Sequence, residues 1–184
     1  MALNKGVEIL IRYGIAVVVT VLALVFPVVY WIFRPLTVYP LYFFLNSCYD
    51  VVLNGMQSLT VNSFEIVIID ACIAGSAYLL LFLLNALTRD LAFKRRLSLF
   101  LLSALYLLVL NILRLIVLIV MLVNGSAAFD FTHKLFWYVL SIVFVVVIWL
   151  FNARLFKIDA IPFYSDIKFL LEQKKIKEAQ GNLQ

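Results

Sequence analysis

Apolar residues fill this chain in long blocks, interrupted at a few polar points. A helix that crosses a bilayer needs about 20 mostly apolar residues. Five stretches approach or exceed that length. The first covers 8–33, with Arg12 near one end and Pro27 placed to kink it. The second, 36–55, is more polar. The third, 72–88, opens at Cys72; the fourth covers 97–123 and the fifth 134–155. Between the second and third the period shortens to two. Phe64, Ile66 and Ile68 alternate with Glu65, Val67 and Ile69. Asn54-Gly55 signals a turn, and Asn62-Ser63 fits the tip of a small hairpin. Lipid cannot satisfy free strand edges, so this piece belongs at the surface or against the helices. The pattern predicts an all-α integral membrane protein: a polytopic bundle of about five transmembrane helices, with a short extracytoplasmic hairpin before the third.

Composition agrees with that picture. The chain of 184 residues is 66% apolar and only 14% charged, with a mean hydropathy of +1.10. A soluble domain is nearer half apolar and about a quarter charged. One transmembrane domain over 1–158 and a basic cytoplasmic tail over 159–184 are expected. The net charge of +5 sits at helix ends, where it meets anionic lipid headgroups, so no nucleic-acid partner is implied. Cys48 and Cys72 make no disulfide framework, and one histidine with two separated cysteines makes a poor metal site. No metal and no cofactor are expected. No cleavable signal peptide is expected either, because the first apolar run is too long for one.

Lysine and arginine set the orientation. Arg89, Lys94, Arg95 and Arg96 lie between the third and fourth helices. Arg154 and Lys157 end the fifth, and Lys168, Lys174, Lys175 and Lys177 follow in the tail. Single crossings put all of these on one side, the cytoplasm. The hairpin and the loop 124–133, which holds the sequon Asn124-Gly125-Ser126, are then outside. Arg34 also fits inside, which would put the N-terminus outside; Lys5 and Arg12 argue the other way. In the tail, Ser165 fits a helix cap, and Ile167, Leu170 and Leu171 form an apolar stripe suited to the membrane interface.

Polar groups inside the apolar blocks raise the question of function. Arg114 lies within a long apolar stretch, one turn after Asn111. An arginine at mid-helix costs about 2.5–3.5 kcal/mol on insertion scales, so it calls for a partner or a wet cavity. Cys72 precedes Arg89 by 17 positions, and Arg114 follows Arg96 by 18. At the helical rise both stand roughly 25–27 Å above the inner boundary. His133, the only histidine, precedes Arg154 by 21 positions and stands slightly higher, at about 32 Å. A thiol at a helix N-terminus feels the positive end of the helix dipole, which favours thiolate, and a nearby arginine favours it further. Histidine can carry a proton to a leaving amine, and arginine can stabilise an oxyanion. Ala74, Gly75, Ser76 and Ala77 leave room for a substrate or for close helix packing. Asp70 also fits a simple helix cap, and Cys72 a packing role. Arg114 would equally suit a transporter or channel as an intramembrane counter-ion. A membrane thiol–disulfide enzyme using Cys48 and Cys72 is the other alternative, although the two are not in a C-x-x-C arrangement.

Three motifs in order carry a resemblance. Asp70-Ala71-Cys72-Ile73-Ala74-Gly75 starts one helix, Asn111-Ile112-Leu113-Arg114 lies inside the next, and His133 opens the one after. Over roughly 35–155 this order resembles the exosortase and archaeosortase family, in particular a small archaeal-type member. That family usually has glycine two positions after the cysteine, where this chain has Ala74. The resemblance implies a membrane cysteine transpeptidase of the cell membrane, with its active site on the extracytoplasmic side. Cys72 is then the nucleophile, His133 the acid and base, and Arg114 the stabiliser of thiolate or oxyanion. Asn111, Asp70 and Gly75 support them, with Glu65 a further acid nearby. The implied partners are exported proteins whose C-terminal tail combines a short motif, a hydrophobic helix and a basic cluster. The acyl group would pass to a lipid or another anchor.

Overall fold

The computed structural model describes residues 2–25, 27–88, 91–158, 167–169 and 171–172. Arg89, Ser165, Leu170, Lys174, Lys175 and Lys177 lie outside the described residues.

Proline decides the first division. A proline has no N–H to give and its ring crowds the carbonyl four residues back. Helix α1 (Ala2–Val25) stops just before Pro27, and α2 (Val28–Asn46) begins just after it. Pro27 heads the new helix, its carbonyl accepting from Tyr30 and Trp31 at 3.0 and 3.2 Å. The expected single kinked helix over 8–33 is therefore two helices. The second apolar stretch is also shorter than expected, because α2 ends at Asn46 and residues 51–54 are a strand.

Three short strands follow: β1 (Val51–Asn54), β2 (Ser58–Val61) and β3 (Phe64–Val67). They form an antiparallel meander in the order β1-β2-β3, one strand more than the predicted hairpin. Val61 pairs with Phe64, leaving Asn62 and Ser63 as a two-residue turn. Both have positive φ, 45° and 74°, which matches the twist of a tight hairpin. Leu59 and Val61 are fully buried against Val38, Leu41 and Leu45 of α2. The sheet thus rests on helices, as a small open sheet must.

A four-residue turn of helix, α3 (Asp70–Ile73), carries Cys72. Then come α4 (Gly75–Leu87) and the long α5 (Phe93–Val123). The last run is α6 (Phe129–Leu135), a π-helical segment (Phe136–Leu140) and α7 (Ser141–Leu155). Among the described residues, four helical stretches are long and apolar enough to cross a membrane: 6–23, 28–46, 93–123 and the continuous run 129–155. Helix α4 is apolar but shorter. The last run starts earlier than the predicted 134–155, so His133 sits in its second turn and does not open it.

Basic side chains close the lower end of the bundle. Arg96 donates to the carbonyls of Asn85, Ala86, Thr88 and Leu91, satisfying the orphan acceptors where α4 ends. Arg95 donates to the carbonyl of Phe156 beyond α7. Glu8 and Arg12 of α1 lie beside Arg96. At the other end of α4, Phe33 of α2 stacks on Tyr78, with ring centroids 3.6 Å apart. Helices α1 and α2 therefore run in series along α4, from its C-terminal end past its N-terminal end. This corrects the placing of Arg34. It stands at the end opposite Arg96, because its side chain reaches Asp70.

Candidate functional site

A left-handed residue builds the site. Ala74 has φ 59° and ψ 37°, so the chain turns sharply between α3 and α4. The third helix proper begins at Gly75, not at Cys72. In a continuous helix the carbonyl of Cys72 would take an N–H from residue 76. Here Asn111 of α5 supplies the donor, its Nδ2 lying 2.8 Å from that oxygen. Gly75 makes the corner fit. A Cβ there would sit 2.6 Å from Cζ of Tyr30, so α2 can approach this point only over a glycine.

Arg114 lies one turn after Asn111 on the same buried face of α5, and it is 6% exposed. Among the described residues it has no ion pair and no hydrogen bond, and its Nε is buried without a partner. Its guanidinium stands 5.9 Å from the ring centre of Phe136, and it is close enough to Cys72 for charge to couple the two. The structure thus brings Cys72, Asn111 and Arg114 together.

Burial pushes the Cys72 thiol above its ordinary range. A backbone hydrogen bond at Ile69 and the charges of Arg114 and Arg34 pull it down, but by less. The expectation that the helix start favours thiolate is corrected on this point. A single turn of helix has little dipole to offer, and α4 begins only after the thiol. The part assigned to arginine keeps its sign.

Arg34 is the residue that sequence reasoning missed. It pairs with Asp70 and reaches the carbonyls of Ile68 and Met56 at 3.4 and 3.5 Å. One side chain therefore ties α2, the β1–β2 turn and the start of α3 together, two residues before the thiol. A pattern of lysines and arginines at helix ends could not reveal this, because Arg34 falls in the gap between the two apolar stretches expected from the sequence, whereas it lies inside α2. Asp70 acts as an ion-pair partner and makes no side-chain cap.

His133 is not brought into contact with the others. Its ring is exposed, stacks near Phe129 at 5.6 Å and meets the edge of Trp137 at 6.2 Å. Among the described residues no hydrogen bond joins it to Cys72 or Arg114. It lies one turn before Phe136, whose ring faces Arg114. The π-helical segment follows directly, with the Ser141 hydroxyl donating to the carbonyl of Phe136 at 2.7 Å. Glu65 lies on the exposed part of β3. Cys48 and Cys72 are both free thiols.

Comparison with protein-family models, curated proteins and solved structures finds no match.

Proposed function

We propose that this protein is a cysteine transpeptidase of the cell membrane that removes a C-terminal sorting tail from exported proteins at the extracytoplasmic face. The observation that carries this reading is the buried guanidinium of Arg114 beside Cys72, with no carboxylate paired to it among the described residues. An unpaired buried cation is costly. It makes chemical sense where an anion forms during a reaction, as a thiolate and a tetrahedral oxyanion do.

His133 takes the proton from Cys72, and the sulfur attacks the carbonyl carbon of the scissile peptide. Charge gathers on the carbonyl oxygen beside Arg114. The C–N bond then breaks, and the protonated imidazole gives its proton to the departing amine of the tail. This leaves a thioester on Cys72. An amine or hydroxyl of a lipid or other anchor attacks it next, losing its proton to His133, and the thiol re-forms. His133 must swing toward Cys72 for these transfers; the π-helical segment that follows it is a feature frequent at functional sites. Asn111 holds the nucleophile's backbone, while Arg34 and Asp70 hold the turn before it.

The test compares the C-termini of exported membrane proteins in cells with the native chain and with Cys72→Ala, by mass spectrometry. A set of proteins should keep a hydrophobic, basic-ended tail only in the variant. Identical termini, together with a growth or transport defect in Arg114→Ala, would overturn the proposal. Arg114 would then be a counter-ion in a transporter.

A further inference from the structure

Strand β3 is an edge of the sheet. The other edge, β1, packs beside α2. Ile68 donates to the carbonyl of Gln57 at 2.7 Å, and Val61 pairs with Phe64 at the two-residue turn. Alternate residues of an antiparallel ladder turn both N–H and C=O toward the partner strand. Phe64, Ile66 and Ile68 therefore face β2, while Glu65 and Val67 turn both groups outward. Among the described residues nothing pairs with that outer edge. Phe64, Glu65, Val67 and Ile69 are exposed along it. Ile69 stays extended, with φ −78° and ψ 166°, and its carbonyl accepts the N–H of Cys72 at 2.9 Å. The open edge thus ends at the residue that carries the thiol.

The direction of β3 matters as well. Asn62, in the turn before it, donates its N–H to the carbonyl of Asp50, beyond the end of α2. Ile68, after it, lies within reach of Arg34, earlier on α2. The strand therefore runs back along α2 toward Cys72, and α4 continues to the Arg96 end of the bundle. An exported protein whose short motif precedes its hydrophobic helix enters the membrane in the same sense. We propose that this motif binds as an extended strand parallel to β3, exchanging main-chain hydrogen bonds with Glu65 and Val67, so that its scissile peptide arrives at Cys72. This mode of binding rests on the transpeptidase reading and adds how the substrate is held. At a sheet edge the main chain supplies affinity, and alternate side chains supply specificity.

Proline tests the edge, because at Glu65 or Val67 it deletes an outward N–H and leaves the bonds to β2 in place. The rate of tail removal is followed by mass spectrometry after a metabolic pulse, in cells carrying the full chain. The chains compared are the native one, Val67→Pro, Glu65→Pro, Val67→Ala and Cys72→Ala. Each proline should slow removal about tenfold or more, the cost of leaving a bound carbonyl unpaired. Val67→Ala keeps the N–H and should cleave like the native chain. A second measurement does not depend on how the proline variants fold. A photoreactive benzophenone residue in place of Val67, in the Cys72→Ala chain, should crosslink to the same exported proteins that keep their tails in Cys72→Ala. Native rates in both proline variants, or crosslinks only to a second copy of this chain, would overturn the strand pairing while the loss of cleavage in Cys72→Ala upholds the transpeptidase. Native termini in Cys72→Ala would overturn both.

Discussion

Arg114 and Cys72 influence each other through charge, and the sign of the coupling is open to measurement. A thiolate beside a guanidinium is stabilised, so removing the guanidinium must raise the thiol further. Burial already holds Cys72 above the ordinary cysteine range. The alkylation rate of Cys72, followed against pH in a Cys48→Ser background, should therefore rise with a midpoint above about 8.5, the free-cysteine value. In Arg114→Gln the midpoint should move higher still. Arg34→Gln should move it the same way but less, since Arg34 pulls more weakly than Arg114. An unchanged midpoint in Arg114→Gln would mean that the guanidinium does not act on the thiol. If the proposed chemistry holds, Arg114→Gln should also slow tail removal by roughly 10²–10³-fold, the usual cost of losing one oxyanion donor. That Cys72 and Arg114 stand at one level was legible from counting residues to the nearest basic cluster. The side-chain direction of His133 was not, because a count gives height and says nothing about which way a ring turns.

Among the elements, the turn between α3 and α4 stands under strain. A non-glycine residue in the left-handed region costs about 1–2 kcal/mol, and Ala74 holds that conformation. This is also the position where the resembled family usually carries glycine. Ala74→Gly should stabilise the fold by about 1 kcal/mol, raising Tm by about 2–4 °C for a chain of this size. A fall in Tm would mean that the methyl group packs well enough to outweigh its backbone. The helices and the Asn62-Ser63 turn could be read from the sequence, because length, hydropathy and turn chemistry are local. Strand β1 could not: Val51–Asn54 follows an apolar run, and only its pairing with β2 separates it from the helix before it.

For the whole molecule, the course of α1 and α2 makes a prediction about sidedness. Arg12 lies at the Arg96 end of the bundle and Arg34 at the Asp70 end, so the two helices together traverse α4 once. In a cysteine-free background, Asn62→Cys should react with a membrane-impermeant maleimide from one side of the membrane. Lys94→Cys and an N-terminal tag should be reached only from the other. If the N-terminal tag and Asn62→Cys are reached from the same side, α1 and α2 cross separately and the observed course is wrong. The lysine and arginine pattern could not decide this, since Arg34 fits the positive side by charge alone. Its pairing with Asp70 and its reach to Ile68 and Met56 settle which end it occupies.

By itself the sequence determined that this chain is built of long apolar helices with a small β-element before Cys72. It also put Cys72 and Arg114 near one level, with His133 slightly higher. Both follow from one-dimensional quantities: hydropathy summed along a run, and rise per residue along a helix. Tertiary structure alone decided that Pro27 divides the first run and that Ala74 frees the Cys72 carbonyl for Asn111. It also decided that Arg34 stitches the sheet to the turn that carries Cys72 and that His133 faces outward. Each of these depends on which groups remain unsatisfied once the helices pack, and such partners come from segments far apart in the chain.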